Sequence, residues 1–260
     1  MALSDSHRPL ICKAADYLAK ARSILFITGA GLSADSDLPT YRGIGGLYED
    51  KDPEEGIPIE EALSGDMMVR RLDITWKYIS QIEGASRQAR HNRGHEVIAE
   101  MEQHFPKVWV LTQNVDGFHQ DAGSRNVIDI HGNIKTLLCR RCHFRREVND
   151  YSELEIPPVC PQCAGPERPD VVLFGEQLPM NKLSRLRQVS EEGFQMVFSI
   201  GTSSLFQYIV EPVLDARRWN VPTVEVNPGV TPISEMVDVK IPAGAAETLD
   251  AIWEAYRENL

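Results

Sequence analysis

With 260 residues, 42% apolar and 25% charged, the chain has the make-up of one large globular domain or a domain with a small insert, which excludes disordered and collagen-like chains. No apolar run approaches the roughly 20 residues that span a bilayer, and the start MALSDSHRPLICK lacks the basic lead and apolar core of a secretory signal, so a cytoplasmic protein with no membrane association is expected. A formal charge of −11 repels nucleic-acid phosphates, so no direct nucleic-acid partner is expected, and it favours basic partners such as lysine-rich protein segments.

Residues 10–22 set Leu10, Ile11, Ala14, Ala15, Leu18 and Ala19 at helical spacing, with Cys12 in the same pattern and expected in the core. A buried strand is predicted at 24–28, running into Gly29-Ala30-Gly31-Leu32-Ser33. Glycines after a buried strand let backbone approach a pyrophosphate whose charge is met by amides at a helix start. A tight strand-to-helix turn without any ligand satisfies the same pattern. Residues 43–95 show no obvious strand and read as a loop followed by helices. A helix is predicted at 94–104, then strands at 108–112, 127–130, 171–174, 196–200 and 223–226, with a helix at 205–218.

Strands alternating with helices predict an α/β fold: a Rossmann-like, mainly parallel sheet covered by helices on both faces. The strands end in Thr28-Gly29, Thr112-Gln113-Asn114, His131-Gly132, Gly201-Thr202-Ser203 and Asn227-Pro228. In an open α/β sheet these carboxyl ends form the ligand-binding edge. Residues 1–42, 96–135 and 168–260 are assigned to this nucleotide-binding lobe. The helical insertion 43–95 and the segment 136–167 are assigned to a small second lobe.

Cys139 and Cys142, then Cys160 and Cys163, form two C-x2-C pairs spaced as in a zinc ribbon, and a cytoplasmic address argues against pairing them as disulfides. Four thiolates close the shell of one zinc ion, which leaves the metal a structural role without chemistry of its own. The nearby Arg140, Arg141, Arg145 and Arg146 read as a solvated basic face.

The string Gly29-Ala30-Gly31-Leu32-Ser33-Ala34-Asp35-Ser36-Asp37-Leu38-Pro39-Thr40-Tyr41-Arg42 resembles the signature of the sirtuin family. So do Thr112-Gln113-Asn114-Val115-Asp116, His131-Gly132, the four cysteines, Pro169–Glu176, Gly201-Thr202-Ser203 and Val226-Asn227-Pro228, all in the family's order. The resemblance implies an NAD-dependent protein-lysine deacylase acting on acyl-lysine proteins or peptides and releasing nicotinamide, free lysine and O-acyl-ADP-ribose. It places the NAD pyrophosphate on the turn Gly29-Ala30-Gly31-Leu32-Ser33 and near Gly201, Thr202 and Ser203, with Asp35 and Gln113 also expected to contact the cofactor. Asn227 is expected at the adenosine ribose and Ala245 at the adenine. Asp116 and the adjacent backbone are expected at the nicotinamide carboxamide, and Tyr41 and Arg42 on a loop closing over the cofactor, Arg42 toward the pyrophosphate or ribose and Tyr41 shielding the nicotinamide side. His131 is expected as the general base for a ribose hydroxyl and Asn114 as the group positioning that ribose or a water. Val172, Phe174, Gly175 and Phe206 are expected to hold the acyl-lysine, whose backbone would pair as an added strand with 172–175 and with the segment after Ser203.

Departures from the family pattern are Asp37 where glycine is common, Thr40-Tyr41-Arg42-Gly43 in the loop, and Tyr208 where a proline is usual. Trp76 and Ile79 are aligned with the tyrosine and arginine that bind acidic acyl groups in some sirtuins. An apolar pair leaves a carboxylate uncompensated, so neutral acyl groups, acetyl or longer, are expected. Two other readings keep parts of this pattern: an ADP-ribosyltransferase or NAD hydrolase on the same site, and a non-catalytic NAD-binding module.

Overall fold

The computed structural model describes residues 3–38 and 56–259. The first half of the chain carries α1 (Arg8–Leu18), β1 (Ser23–Thr28), α2 (Ala30–Ser33), α3 (Ile59–Ala62), α4 (Gly65–Arg70), α5 (Leu72–Gln88), α6 (Arg93–His104), β2 (Lys107–Thr112), α7 (Phe118–Asp121) and β3 (Val127–Asp129). The second half carries β4 (Gly132–Cys139), β5 (Arg145–Glu147), β6 (Glu167–Val171), α8 (Met180–Glu191), β7 (Met196–Ile200), α9 (Gln207–Arg218), β8 (Thr223–Val226), β9 (Val239–Ile241) and α10 (Ala245–Glu258).

Six strands form a sheet in the order β3-β2-β1-β7-β8-β9, and every pairing is parallel. The run Ser23-Ile24-Leu25-Phe26-Ile27-Thr28 is apolar on both faces because helices cover both. Ile24 and Phe26 join Val110, Phe198 and Val226 in one core with residues of α1, α6 and α10. Leu25 and Ile27 point the other way, into a second core with Leu186 and Val189 of α8 and Ile209 and Val213 of α9. Phe26 and Phe198 stack with centroids 4.9 Å apart, which fixes β1 against β7 at the centre. The buried stripe of α1 is Ile11, Ala14, Ala15 and Leu18. Cys12 is exposed and not in the core, since one step along a helix turns a side chain by roughly 100°.

A second, antiparallel sheet runs β5-β4-β6 and packs on α3–α5 around Ile59, Met68, Trp76, Ile134, Leu137 and Tyr151. β4 crosses position 135, so this sheet begins at Gly132, inside the segment assigned above to the nucleotide-binding lobe. The strand expected at 171–174 ends at Val171 and begins at Glu167. Pro169 lies within it, which is tolerated because β6 is an edge strand of this sheet. Residues 172–174 instead leave the sheet and bridge to the small lobe: Phe174 N–H donates to Leu63 O, and its carbonyl accepts from Gly65 N–H. No described helix is long and apolar enough to cross a membrane.

Candidate active site at the sheet rim

Parallel pairing puts the carboxyl ends of β1, β2, β3, β7 and β8 on one rim, and the turns after β1 and β7 interlock there. Gly29 N–H donates to Ile200 O, and Gly31 N–H donates to Gly201 O at 2.8 Å. A Cβ on Gly31 would sit 2.6 Å from Gly201 Cα, and Gly201 adopts φ +59° with Leu32 N 2.4 Å from its own would-be Cβ. Only glycine closes both turns at this distance. The helix after the turn is short: α2 passes into one 3-10 turn and stops at Asp37, φ +62°, so aspartate holds the left-handed position that the family pattern gives to glycine. Asp35 accepts from Ala246 N–H at 2.8 Å and ties this turn to the start of α10.

A cleft of about 1040 Å³ opens on this rim, lined by Gly29, Ala30, Gly31, Asp35, Ile79, Gln113, Asn114, His131, Val172, Phe174, Gly175, Gly201, Thr202, Ser203, Phe206 and Asn227, among others. Ser33 and Asp116 line a smaller adjoining pocket of about 90 Å³ together with Asn114, Gln81, Ile82 and Ser86. Two expected residues are elsewhere. Ala245, the first residue of α10, is buried in the sheet core, and its neighbour Gly244 faces the cleft. Trp76 is fully buried, donates Nε1–H to Glu167 O at 3.1 Å, packs on Tyr151 in the small-lobe core and does not line the cleft. The cleft face of α5 is Ile79 and Ile82, one helical turn apart, joined by Leu63, Ile134 and Leu173. Neither Ile82 nor Ile134 stands out in the sequence, although the spacing of Ile82 from Ile79 carries the signal. Tyr41 and Arg42 lie outside the described residues.

Polar groups on the rim are tied into one network. Asn114 donates Nδ2–H to Gly29 O at 3.1 Å and to Ser33 Oγ at 3.0 Å. Ser33 Oγ–H in turn donates to Asp116 Oδ2 at 2.7 Å, while Phe118 N–H donates to Asp116 Oδ1. Burial drives the Asp116 carboxyl above its ordinary pKa, against the pull of those two donors. Gln113 Nε2–H donates to Thr202 Oγ1, and Asn227 Nδ2–H donates to Thr202 O, so Thr202 joins the ends of β2, β7 and β8.

His131 stands between β3 and β4. Its Nδ1 is 3.0 Å from the Gln113 carbonyl, which can only accept, so Nδ1 carries the proton and Nε2 presents a lone pair. Nε2 lies 2.6 Å from Tyr208 Oη. Burial lowers the His131 pKa, which keeps the ring neutral at physiological pH.

Expected strand addition meets a partly occupied edge. Val172 N–H is used by His131 O, and both backbone groups of Phe174 are used by Leu63 and Gly65. The Val172 carbonyl and the Gly175 amide bond no other backbone group among the described residues. Across the cleft, Ser204 turns left-handed at φ +51°, so the segment after Ser203 is a bend, not an extended edge.

The sulfurs of Cys139, Cys142, Cys160 and Cys163 lie within 4.8 Å of one another, with pairs at 3.5 and 3.7 Å. Tetrahedral thiolates at about 2.3 Å from zinc are about 3.8 Å apart, so the four residues fit one zinc ion. Arg141 and Cys142 N–H groups donate to Cys139 Sγ and Gln162 N–H to Cys160 Sγ, as thiolate acceptors need. The arginines here are structural and not only solvated: Arg146 forks onto the fully buried Glu167, and Arg140 donates to Met68 O.

Comparison with known proteins adds the lineage. The model of the Sir2 family matches residues 29–207. A Pseudomonas aeruginosa protein named NAD-dependent protein deacylase 2 is 48% identical over 251 residues, covering 95% of this chain and 97% of that protein. A solved Sir2 homolog–NAD complex superposes with TM-score 0.86 at 29% identity, covering 95% of this chain and 94% of that one. A Sir2 structure with a deacetylated p53 peptide and 3′-O-acetyl ADP-ribose gives TM-score 0.82 at 28% identity, covering 93% and 96%. With the interlocked glycine turns, the rim histidine and the four-sulfur cluster, these matches establish that the chain belongs to the Sir2 family.

Proposed function

We propose that this chain is an NAD-dependent protein-lysine deacylase that transfers a neutral acyl group to ADP-ribose and releases nicotinamide. The observation that carries this reading is a neutral histidine whose Nε2 lone pair sits on the same cleft as the interlocked glycine turns and an apolar wall. When bound, NAD supplies an electrophilic ribose carbon with nicotinamide as its leaving group. Gly29, Ala30, Gly31, Thr202 and Ser203 hold the pyrophosphate by close backbone approach, and Asn227 takes the adenosine ribose. Asp116 and its neighbours hold the nicotinamide end in the smaller pocket, next to Asn114. His131 Nε2 accepts the proton of a ribose hydroxyl.

Leu63, Ile79, Ile82, Ile134 and Leu173 exclude water around the acyl chain. No lysine or arginine among the described residues lines the cleft, so an acyl carboxylate finds no partner there. Phe174 and Phe206 flank the lysine stem, and the Val172 carbonyl and Gly175 amide offer hydrogen bonds to the peptide backbone. Zinc on the four cysteines staples the sheet that begins at Gly132, beside the base. The same reading puts the enzyme in the cytoplasm, where four thiols persist as a metal shell.

Incubation with NAD and an acetyl-lysine peptide tests this. Peptide-dependent nicotinamide release with equimolar free lysine is the expected result, and His131→Ala abolishes the lysine product. Release independent of peptide points to NAD hydrolysis or ADP-ribosyl transfer, and no release at all points to a binding module.

A further inference from the structure

On the deacylase reading, the lone pair that His131 needs for base catalysis is already engaged. Nδ1–H is committed to the Gln113 carbonyl, and the phenol of Tyr208 donates to Nε2 at 2.6 Å. A substrate hydroxyl therefore reaches the base only if Tyr208 leaves or if the proton passes through it. The packing of the ring decides between the two. Tyr208 sits in the first turn of α9, where it packs against the core formed by Ile209, Val213 and their neighbours. Its outer face is stacked by Phe206 at 5.5 Å with an interplanar angle of 18°. Phe206 also stands edge-on to His131 at 6.2 Å. Held on both sides, the phenol keeps its place; Tyr208 lines the cleft, and among the described residues its oxygen bonds only His131, which leaves it capacity for a second hydrogen-bond partner. Burial raises the Tyr208 pKa to about 12, so the group stays protonated.

We propose that Tyr208 is a catalytic proton relay between the ribose hydroxyl and His131. As the ribose hydroxyl is activated, its O–H bond breaks and its proton forms a new O–H bond on Tyr208 Oη. In the same event the original Tyr208 O–H bond breaks and that proton bonds to His131 Nε2. The phenol ends neutral, the imidazole becomes imidazolium, and the O–H bonding pair is left on the ribose oxygen as its nucleophilic lone pair, so no further reagent is needed. Base catalysis of this kind contributes about 10²–10⁴-fold.

The test is the single-turnover rate of acyl transfer to ADP-ribose in wild type and Tyr208→Phe, with a proton inventory in H2O/D2O mixtures. The relay predicts at least a tenfold loss in the variant, with the curvature of a two-proton step in wild type becoming linear. It also predicts that, without NAD, the 15N resonance of His131 Nε2 moves in the variant toward that of an unbonded lone pair. An unchanged or faster rate, a slower rate that keeps the curvature, or an unmoved resonance overturns it. If the variant does not fold, 3,5-difluorotyrosine at position 208 keeps ring and hydroxyl but acidifies the phenol. The relay then predicts a new alkaline loss of acyl transfer near the lowered phenol pKa, and its absence overturns the relay. Wild type that transfers no acyl group removes the deacylase reading itself, whereas an active wild type with an indifferent Tyr208→Phe removes only the relay.

Discussion

Ser33→Ala tests how tightly the rim is wired, because the Ser33 hydroxyl is the middle of the chain from Asn114 to Asp116. The substitution deletes a 2.7 Å donor to a buried carboxylate, a hydrogen bond to a charged group worth about 1.5–3 kcal/mol, and leaves one Asn114 N–H without an acceptor, about 1 kcal/mol more. The expected loss of stability with the carboxyl ionised is therefore about 2.5–4 kcal/mol. It should depend on pH in a definite direction. Burial raises the folded pKa of Asp116 above 3.8, and removing a donor to the charged form raises it further. An acid with a raised folded pKa contributes stability that is complete at low pH and lost as pH rises through the folded value. The extra penalty of Ser33→Ala thus grows with pH and falls toward about 1 kcal/mol once the carboxyl is protonated. Urea unfolding of wild type and variant over a pH series that spans the Asp116 titration measures it. A penalty that stays flat or shrinks as pH rises through the Asp116 titration would refute the wiring deduced for Ser33 and Asp116.

Buried His95 and His119 have pKa values lowered to about 2 and about 3, chiefly by desolvation. Both are neutral when folded and titrate near 6.5 when unfolded, so stability is present above pH 6.5 and lost below it. The slope is about 1.4 kcal/mol per pH unit for each, and His95→Phe should reduce the acid-side slope by about that amount in unfolding titrations between pH 6 and 4. Metal analysis should find one zinc per chain, and Cys142→Ser or chelation should release it, lower the melting temperature and expose amides of β4 and β6 to hydrogen exchange; retained protection would separate the cysteines from the fold of that sheet. Ile82→Arg puts a cation into an apolar wall, so the ratio of succinyl-lysine to acetyl-lysine turnover should rise at least tenfold from a wild type that prefers acetyl; an unchanged ratio would remove α5 from the acyl pocket.

Local and periodic features are legible in the sequence itself. The run at 23–28 declares a doubly buried strand, and the spacing of four cysteines declares their cluster. Phase and contact are not legible in the same way. Trp76 and Ile79 are three positions apart on α5, yet Trp76 turns into the small-lobe core while Ile79 meets the cleft, and hydrophobicity alone cannot say which apolar face a helix turns to which cavity. Pro169 hides β6, because proline argues against a strand unless the strand is known to be an edge. Gly132–Cys139 escapes notice because, although buried and half-exposed residues alternate along it, the buried positions include Gly132 and Thr136, so hydrophobicity does not follow the alternation. The bond between Tyr208 and His131 joins residues 77 positions apart, and the sequence shows only that a tyrosine replaces a proline.

Mass spectrometry of one quenched turnover with NAD and an acetyl-lysine peptide tests the central claim most directly. Wild type should give nicotinamide, free lysine peptide and O-acetyl-ADP-ribose in equal amounts, and His131→Ala, still folded and still carrying zinc, should give no acetyl-ADP-ribose. Free acetate as the first acyl product, or full acetyl transfer by the alanine variant, would contradict a rim histidine acting as the base of this reaction.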